Sequence, residues 1–202
     1  MKIAIIGSGN VGGALGNAWV RAGHQVTFGM RGGAKEKSPV PGASIDSVVN
    51  AISNAEVVVL AVPWGAAPEV IAQAKDWTGK TLIDCTNPIG AGFELSIGHT
   101  TSAGEQVASL AKGARVVKAF NTTGADNMKN PVYHGKPISM LFCTDDAAAR
   151  KIGEQLVRDV GFEPVYTGPL KHARYMEPLA MLWISLTQQL GRDFALTIAK
   201  RN

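Results

Sequence analysis

Cysteine is scarce in this chain. Only Cys85 and Cys143 occur in 202 residues, and each ends an apolar run. That pattern reads as two buried thiols rather than a disulfide or a metal pair. No C-x-x-C spacing and no His/Cys cluster exists, which excludes a structural zinc site of the usual kind. Charge is thin as well. Charged residues make up 18% of the chain, the net charge is +4, and no dense Lys/Arg block is present. Nucleic acid is therefore a poor partner, although a basic balance suits an acidic cofactor. No apolar stretch reaches the length of a membrane span. Lys2 and the apolar residues after it imitate a leader peptide, but glycines and Asn10 break the run. A cytoplasmic location is expected. There is no Ser-His-Asp frame and no nucleophile elbow, so nothing points to acyl transfer.

What the chain does have is a regular alternation. Apolar, strand-like runs occupy 3–6, 24–28, 56–62, 80–85, 115–120, 138–143 and 162–166. The first and third are continuously apolar, as parallel strands covered on both faces should be. Helices are expected near 11–22, 46–53, 66–75, 104–112 and 146–160, with Asp46, Asp145 and Asp146 as N-caps or first-turn acids. Strands alternating with helices predict a doubly wound, mostly parallel α/β sheet. The boundary falls near 167. Residues 1–167 read as the sheet domain, and residues 168–202 as a small helical part that completes a cleft or meets a second subunit. The segment Leu179–Ile184 is apolar nearly all round. One or two helices are expected there, with Gly191 as a break and Pro178 in a first turn or at a kink.

The first strand runs without a gap into Gly7-Ser8-Gly9-Asn10-Val11-Gly12, which opens the first helix. This is G-x-G-x-x-G in the strand–turn–helix context that a dinucleotide site requires. One glycine makes the turn, the next admits a pyrophosphate, and the third brings helix and strand together. The helix start then offers free N–H groups to the phosphates. The second strand ends at Met30-Arg31, where an NAD site would have Asp or Glu. Arg31, with Lys35 beyond it, favours a 2′-phosphate and hence NADP. Three more segments end on the same rim. Ala61-Val62-Pro63-Trp64 supplies a small backbone beside the nicotinamide. Asn87 and Pro88 follow the next strand, and Ala119 and Asn121 the one after. Pro63, Asn87 and Asn121 are read as positioning groups, with no catalytic acid or base. His24 and His134 read as structural and as an exposed loop residue, and Lys118 as a strand-end lysine pointing to solvent.

Together these segments resemble the F420-dependent NADP reductase family. The resemblance rests on Gly7–Gly12, Arg31 with Lys35, Ala61–Trp64 and Asp84–Pro88. Lys118–Thr122 and the C-terminal Arg174–Ala180 extend it along the chain. It implies a Rossmann domain that binds NADP, a helical C-terminal part, deazaflavin F420 or a flavin as second cofactor in the cleft, and a homodimer. Relatives of the family include the cytosolic domains of flavin-using metalloreductases. One departure is visible: the family's Ser-Arg is Met30-Arg31 here, which removes a hydroxyl donor to the phosphate. Two other readings compete. One is a reductase of a small hydroxy acid or imine, although about 30 residues after the last strand are few for its helical domain. The other is a non-catalytic module that senses NADP.

Overall fold

The computed structural model describes residues 1–33 and 37–201. An interior strand of its sheet is β1 (Lys2–Ile6), buried from Ile3 onward. On one side lie β2 (Gln25–Met30) and β3 (Ser44–Ser47); on the other lie β4 (Val57–Leu60), β5 (Thr81–Asp84) and β6 (Arg115–Ala119). A small hairpin joins β7 (Val132–Tyr133) to β8 (Lys136–Pro137) outside the main sheet. β9 (Ser139–Cys143) and β10 (Glu163–Tyr166) complete the main sheet, in the order β10-β9-β6-β5-β4-β1-β2-β3. Every neighbouring pair is parallel except β6 with β9. The chain leaves β1 towards β2 and returns to β4 on the other side. This reversal opens a crevice at the carboxyl ends of β1 and β4.

Two cores hold the layers together. On one face, α1 (Asn10–Arg21), α5 (Ala125–Lys129) and α6 (Ala147–Val160) pack Leu15, Trp19, Met128 and Leu156 against the sheet. On the other, α2 (Val48–Asn54), α3 (Ala67–Ala72), α4 (Ala103–Leu110) and α7 (Ala173–Leu190) contribute Ile52, Ile71, Val107 and Met176. Trp19 is fully buried, and its indole N–H donates to the Leu156 carbonyl at 3.1 Å, so its one polar atom is satisfied. Burial of a side chain of this size contributes about 1.5–3 kcal/mol.

Several local expectations need correction. β3, the small hairpin and α5 have no counterpart in the apolar pattern, because each is short and half polar. Ser47, not Asp46, caps α2: its hydroxyl accepts from Asn50 N–H at 3.2 Å. Asp46 lies in β3 and accepts from Ser47 N–H at 2.7 Å instead. Asp146 does cap α6, and Asp145 accepts from Leu170 N–H. Pro178 sits inside α7 beyond its first turn, and the helix continues through it. Of the one or two helices expected, one forms: among the described residues no second helix follows Gly191, whose φ is +72°. Residues 192–201 run back over the molecule as an irregular tail. Phe194 stacks on Trp183 at 5.2 Å, and its carbonyl accepts from Trp183 and Asn127. Both cysteines are free and buried.

Candidate active site

Each fingerprint glycine meets a different steric demand. Gly7 has φ +112°, and a Cβ there would lie 2.2 Å from the Ala61 carbonyl oxygen. The turn therefore runs directly against the exit of β4. A Cβ on Gly12 would lie 1.9 Å from the Gly7 oxygen, so α1 can close on the turn only without a side chain. At Gly9 the position is open, with nothing within 4 Å of the Cβ site. Gly9 is also the N-cap residue of α1, and no side chain caps the helix. The first-turn N–H groups thus have no side-chain acceptor, as an anion-binding helix start requires.

From this turn a groove extends in two directions. A 380 Å³ cavity is lined by Gly7, Ser8, Met30 and Arg31, with Glu69 and Gln73 of the β4–β5 connection across from them. A 280 Å³ cavity is lined by Asn10, Val11, Trp64, Thr86, Asn87 and Ile89. Gly9, Ala61, Val62 and Pro63 line both, which makes them two arms of one groove. Arg31 is exposed at the end of the first arm. Lys35 lies outside the described residues. Glu69 was missed by sequence reasoning because only the turn into α3 brings it to the rim. A 590 Å³ cavity lies elsewhere, between α5 and the tail, lined by Asp126, Tyr133, His134 and Arg192. It has no glycine turn and no strand end, so the groove is the better candidate despite its smaller volume.

The far arm reaches Asn87, which forms a reciprocal amide pair with Asn121 behind it; Asn121 itself lines neither arm. Asn87 Nδ2 donates to the Asn121 carbonyl at 2.9 Å, and Asn121 Nδ2 donates to Asn87 Oδ1 at 3.1 Å. Asn121 Nδ2 also reaches the Met176 carbonyl of α7 at 3.4 Å. Asn121 is only 4% exposed, yet its Oδ1 has no hydrogen-bond partner. A buried amide oxygen left open in this way fits a ligand N–H donor. Just before it, Phe120 adopts φ +60°, a strained conformation for a bulky residue. Edge contacts with Trp19 at 5.7 Å and Phe162 at 6.4 Å hold it there. Pro88 is buried, and its carbonyl accepts from Ser96, which fixes the loop from behind. Ala119 lies in the sheet core, fully buried, and lines neither arm.

Lys118 overturns its expected role. It does not point to solvent: it is fully buried, with Nζ 2.9 Å from Asp84 Oδ2 and 3.0 Å from Glu177 Oε1. It also donates to the Thr86 carbonyl at 2.5 Å. Burial opposes the charged ammonium, but the two carboxylates outweigh it, and its pKa is raised. The carboxylates are satisfied in turn. Asp84 Oδ1 accepts from the Thr86 N–H and hydroxyl, and Glu177 accepts from Ala103 and Gly104 N–H at the start of α4. Cys85 lies beside this cluster, and burial pushes its thiol pKa far up, which leaves it unreactive. His24 pairs with Asp159 at 2.8 Å, and His134 is exposed on its hairpin. Neither histidine lines either arm of the groove.

Residues 2–88 match the model of a family described as NADP oxidoreductase, coenzyme F420-dependent. Residues 2–88 are thus similar to the F420-dependent NADP oxidoreductase family. The family segment covers both the glycine turn and Asn87. A rat relative, the metalloreductase STEAP3, is 30% identical over 184 residues. That alignment covers 90% of this chain but 37% of the relative, so the chain spans little more than a third of that protein. Among solved structures, a protein from Arthrobacter sp. FB24, named provisionally as an F420-dependent NADP-reductase, is 29% identical with a TM-score of 0.87. The match covers 99% of this chain and 100% of that one. A reductive aminase from Aspergillus terreus, solved with NADPH and ethyl levulinate, is 21% identical with a TM-score of 0.70. It covers 94% of this chain and 61% of that one, and it shows a shared fold. Among the described residues, no helix is long and apolar enough to cross a membrane.

Proposed function

We propose that this protein binds NADP(H) along the groove and passes a hydride between it and a planar ring acceptor, deazaflavin F420 or a flavin. The observation that carries the reading is the contrast between the two arms. One arm begins at an open glycine and an uncapped helix start and ends at Arg31. The other is lined by Asn10, Trp64, Thr86, Asn87 and Ile89, with no lysine, arginine or histidine among its described residues. A hydroxy-acid substrate would need a cation for its carboxylate, and an imine a proton donor at the reacting atom. A ring acceptor needs chiefly to be held face to face with its donor.

In this reading Ser8, Gly9 and Asn10 receive the diphosphate on the first turn of α1, with Val11 and Gly12 behind. Arg31 grips the 2′-phosphate, Met30 borders the adenosine, and Lys35 lies nearby in sequence. Ala61, Val62 and Pro63 pass their backbone along the ribose. Asn87 and the open Asn121 Oδ1 hold the carboxamide. Bound NADPH supplies the hydride, and these residues bind and orient it. The acceptor side of the cleft is assigned to the C-terminal part, residues 168–202, supported by the contact of the Met176 carbonyl of α7 with Asn121. The exposed Tyr175 and Leu182 of α7 support a homodimer, which sedimentation analysis would test.

An anaerobic panel assay tests the proposal. NADPH absorbance is followed with F420, FMN, FAD, ferric chelates, hydroxy acids and imines. Turnover with F420 or a flavin alone is expected. Tight NADPH binding with no turnover on any acceptor would favour the sensing module instead.

A further inference from the structure

We infer that the buried Asp84–Lys118–Glu177 cluster positions the far wall of the groove and couples that wall to α7. The inference rests on the function proposed above for its catalytic consequence, but the geometry stands by itself. Asp84 ends β5, and Lys118 sits one residue before the end of β6. The two strands pair with Asp84 opposite Lys118. Thr86 is the second residue beyond β5 and lines the groove. The cluster holds it at three points: Asp84 takes its N–H at 2.9 Å and its hydroxyl at 2.7 Å, and Lys118 takes its carbonyl at 2.5 Å. Asn87 follows directly, so its amide inherits the placement.

Glu177 carries the coupling. It reaches Lys118 from α7 and also accepts from Ala103 at 2.9 Å and Gly104 at 3.0 Å. One ammonium faces two carboxylates, and the N-terminus of α4 supplies the remaining positive potential. The same helix α7 meets Asn121 through the Met176 carbonyl. The wall is thus tied to α7 at two places. The buried ammonium keeps its proton, as its raised pKa requires, so it acts as a fixed tie and not as an acid. A purely stabilising core would not need its cation bonded to the carbonyl of a groove-lining residue.

The test is the double variant Asp84→Asn/Lys118→Met in the full chain. It removes one charge of each sign, keeps an amide oxygen for Thr86, and leaves Glu177 seated on α4. Two readouts apply. Hydrogen exchange without ligand should quicken over 85–90 by about tenfold or more while α1 keeps its protection. With NADPH and the best ring acceptor, kcat per folded molecule should fall between about 10- and 100-fold. The NADPH dissociation constant, read by fluorescence, should move less than about threefold, because the glycine turn and Arg31 are untouched. Unchanged exchange over 85–90 overturns the inference. So does an unchanged kcat in a folded variant. If the parent protein fails to bind NADPH, the proposed function falls alone, and the exchange result still decides the tie. Glu177→Gln gives a second reading: quicker exchange over 85–90 is expected from α7, and none there breaks the coupling.

Discussion

At its near end the groove is made of backbone, with Gly7 turned against the Ala61 carbonyl and Gly12 drawing α1 down onto it. At its far end it is made of side chains, with an amide pair in front of a buried ammonium and two carboxylates. Backbone geometry is written locally: three glycines within six residues after an apolar run suffice to specify it. Side-chain geometry is assembled from β5, β6, α4 and α7, and no window of the sequence contains it. One region is strict about the size of its residues; the other is strict about their charge.

That comparison can be broken at several points. The largest effect should come from Lys118→Met alone, which leaves Asp84 and Glu177 buried without their cation. Loss of about 3–5 kcal/mol is expected, read by urea unfolding. The double variant Asp84→Asn/Lys118→Met should lose clearly less than the two single variants together, since the pair is one unit. Because the folded pKa of Lys118 is raised, its contribution is complete below about pH 10.4, the value for an unfolded lysine. It disappears only as pH rises through the folded value.

At the glycine end, Gly12→Ala should destabilise the fold by on the order of 3 kcal/mol, because the new methyl meets the Gly7 oxygen and a core helix must shift. Gly9→Ala should behave oppositely. Its Cβ enters open space, so unfolding should change by less than about 0.5 kcal/mol. NADPH affinity should nevertheless fall sharply in calorimetry. If Gly9→Ala binds as well as the parent, the diphosphate is not seated on that turn.

Arg31→Ala sharpens the assignment of the outer arm. Loss of about 1.5–3 kcal/mol in NADPH affinity is expected, with NADH binding little altered. Equal losses for both nucleotides would remove the 2′-phosphate from Arg31. The smallest effect concerns the ion pair between α4 and α7. The Arg174 guanidinium donates to both oxygens of Glu105 and holds its carboxyl below the usual range. A lowered folded pKa stabilises above the unfolded value and is lost as pH falls through the folded one. Acid unfolding of Arg174→Ala should therefore begin at higher pH than that of the parent, by a modest margin.

The reach of sequence reasoning follows the same division. Strands buried on both faces, the glycine turn and Arg31 were legible because each depends on neighbours within a few residues. Asn87 was expected on the rim by its place after a strand and does line the groove, whereas Asn121 is buried behind it, and their pairing was not legible. Lys118 was misread as a solvent-facing lysine. Its partner Asp84 lies 34 residues earlier and Glu177 lies on the last helix, so nothing near Lys118 advertises compensation. A partial signal did exist: Asp84 and Lys118 each interrupt an apolar strand, and two opposite charges in adjacent strands invite a pair. Ser102-Ala103-Gly104-Glu105 also has capping-box spacing; in the structure Ser102 caps α4 by accepting from Glu105 N–H at 3.1 Å, while its hydroxyl donates to the Glu105 carboxylate. The tail was missed because its anchor is a main-chain oxygen, Phe194's, which no residue type reveals.

The carboxylate that α7 lends to the sheet interior has a practical consequence for anyone redesigning this scaffold. A shortened version cut before residue 173 would strand a positive charge with half its compensation and uncover the start of α4. Grafting the terminal helix from a relative would work only if the donor brings an acid to the same turn. The sheet and its terminal helix are therefore joined through one buried charge cluster.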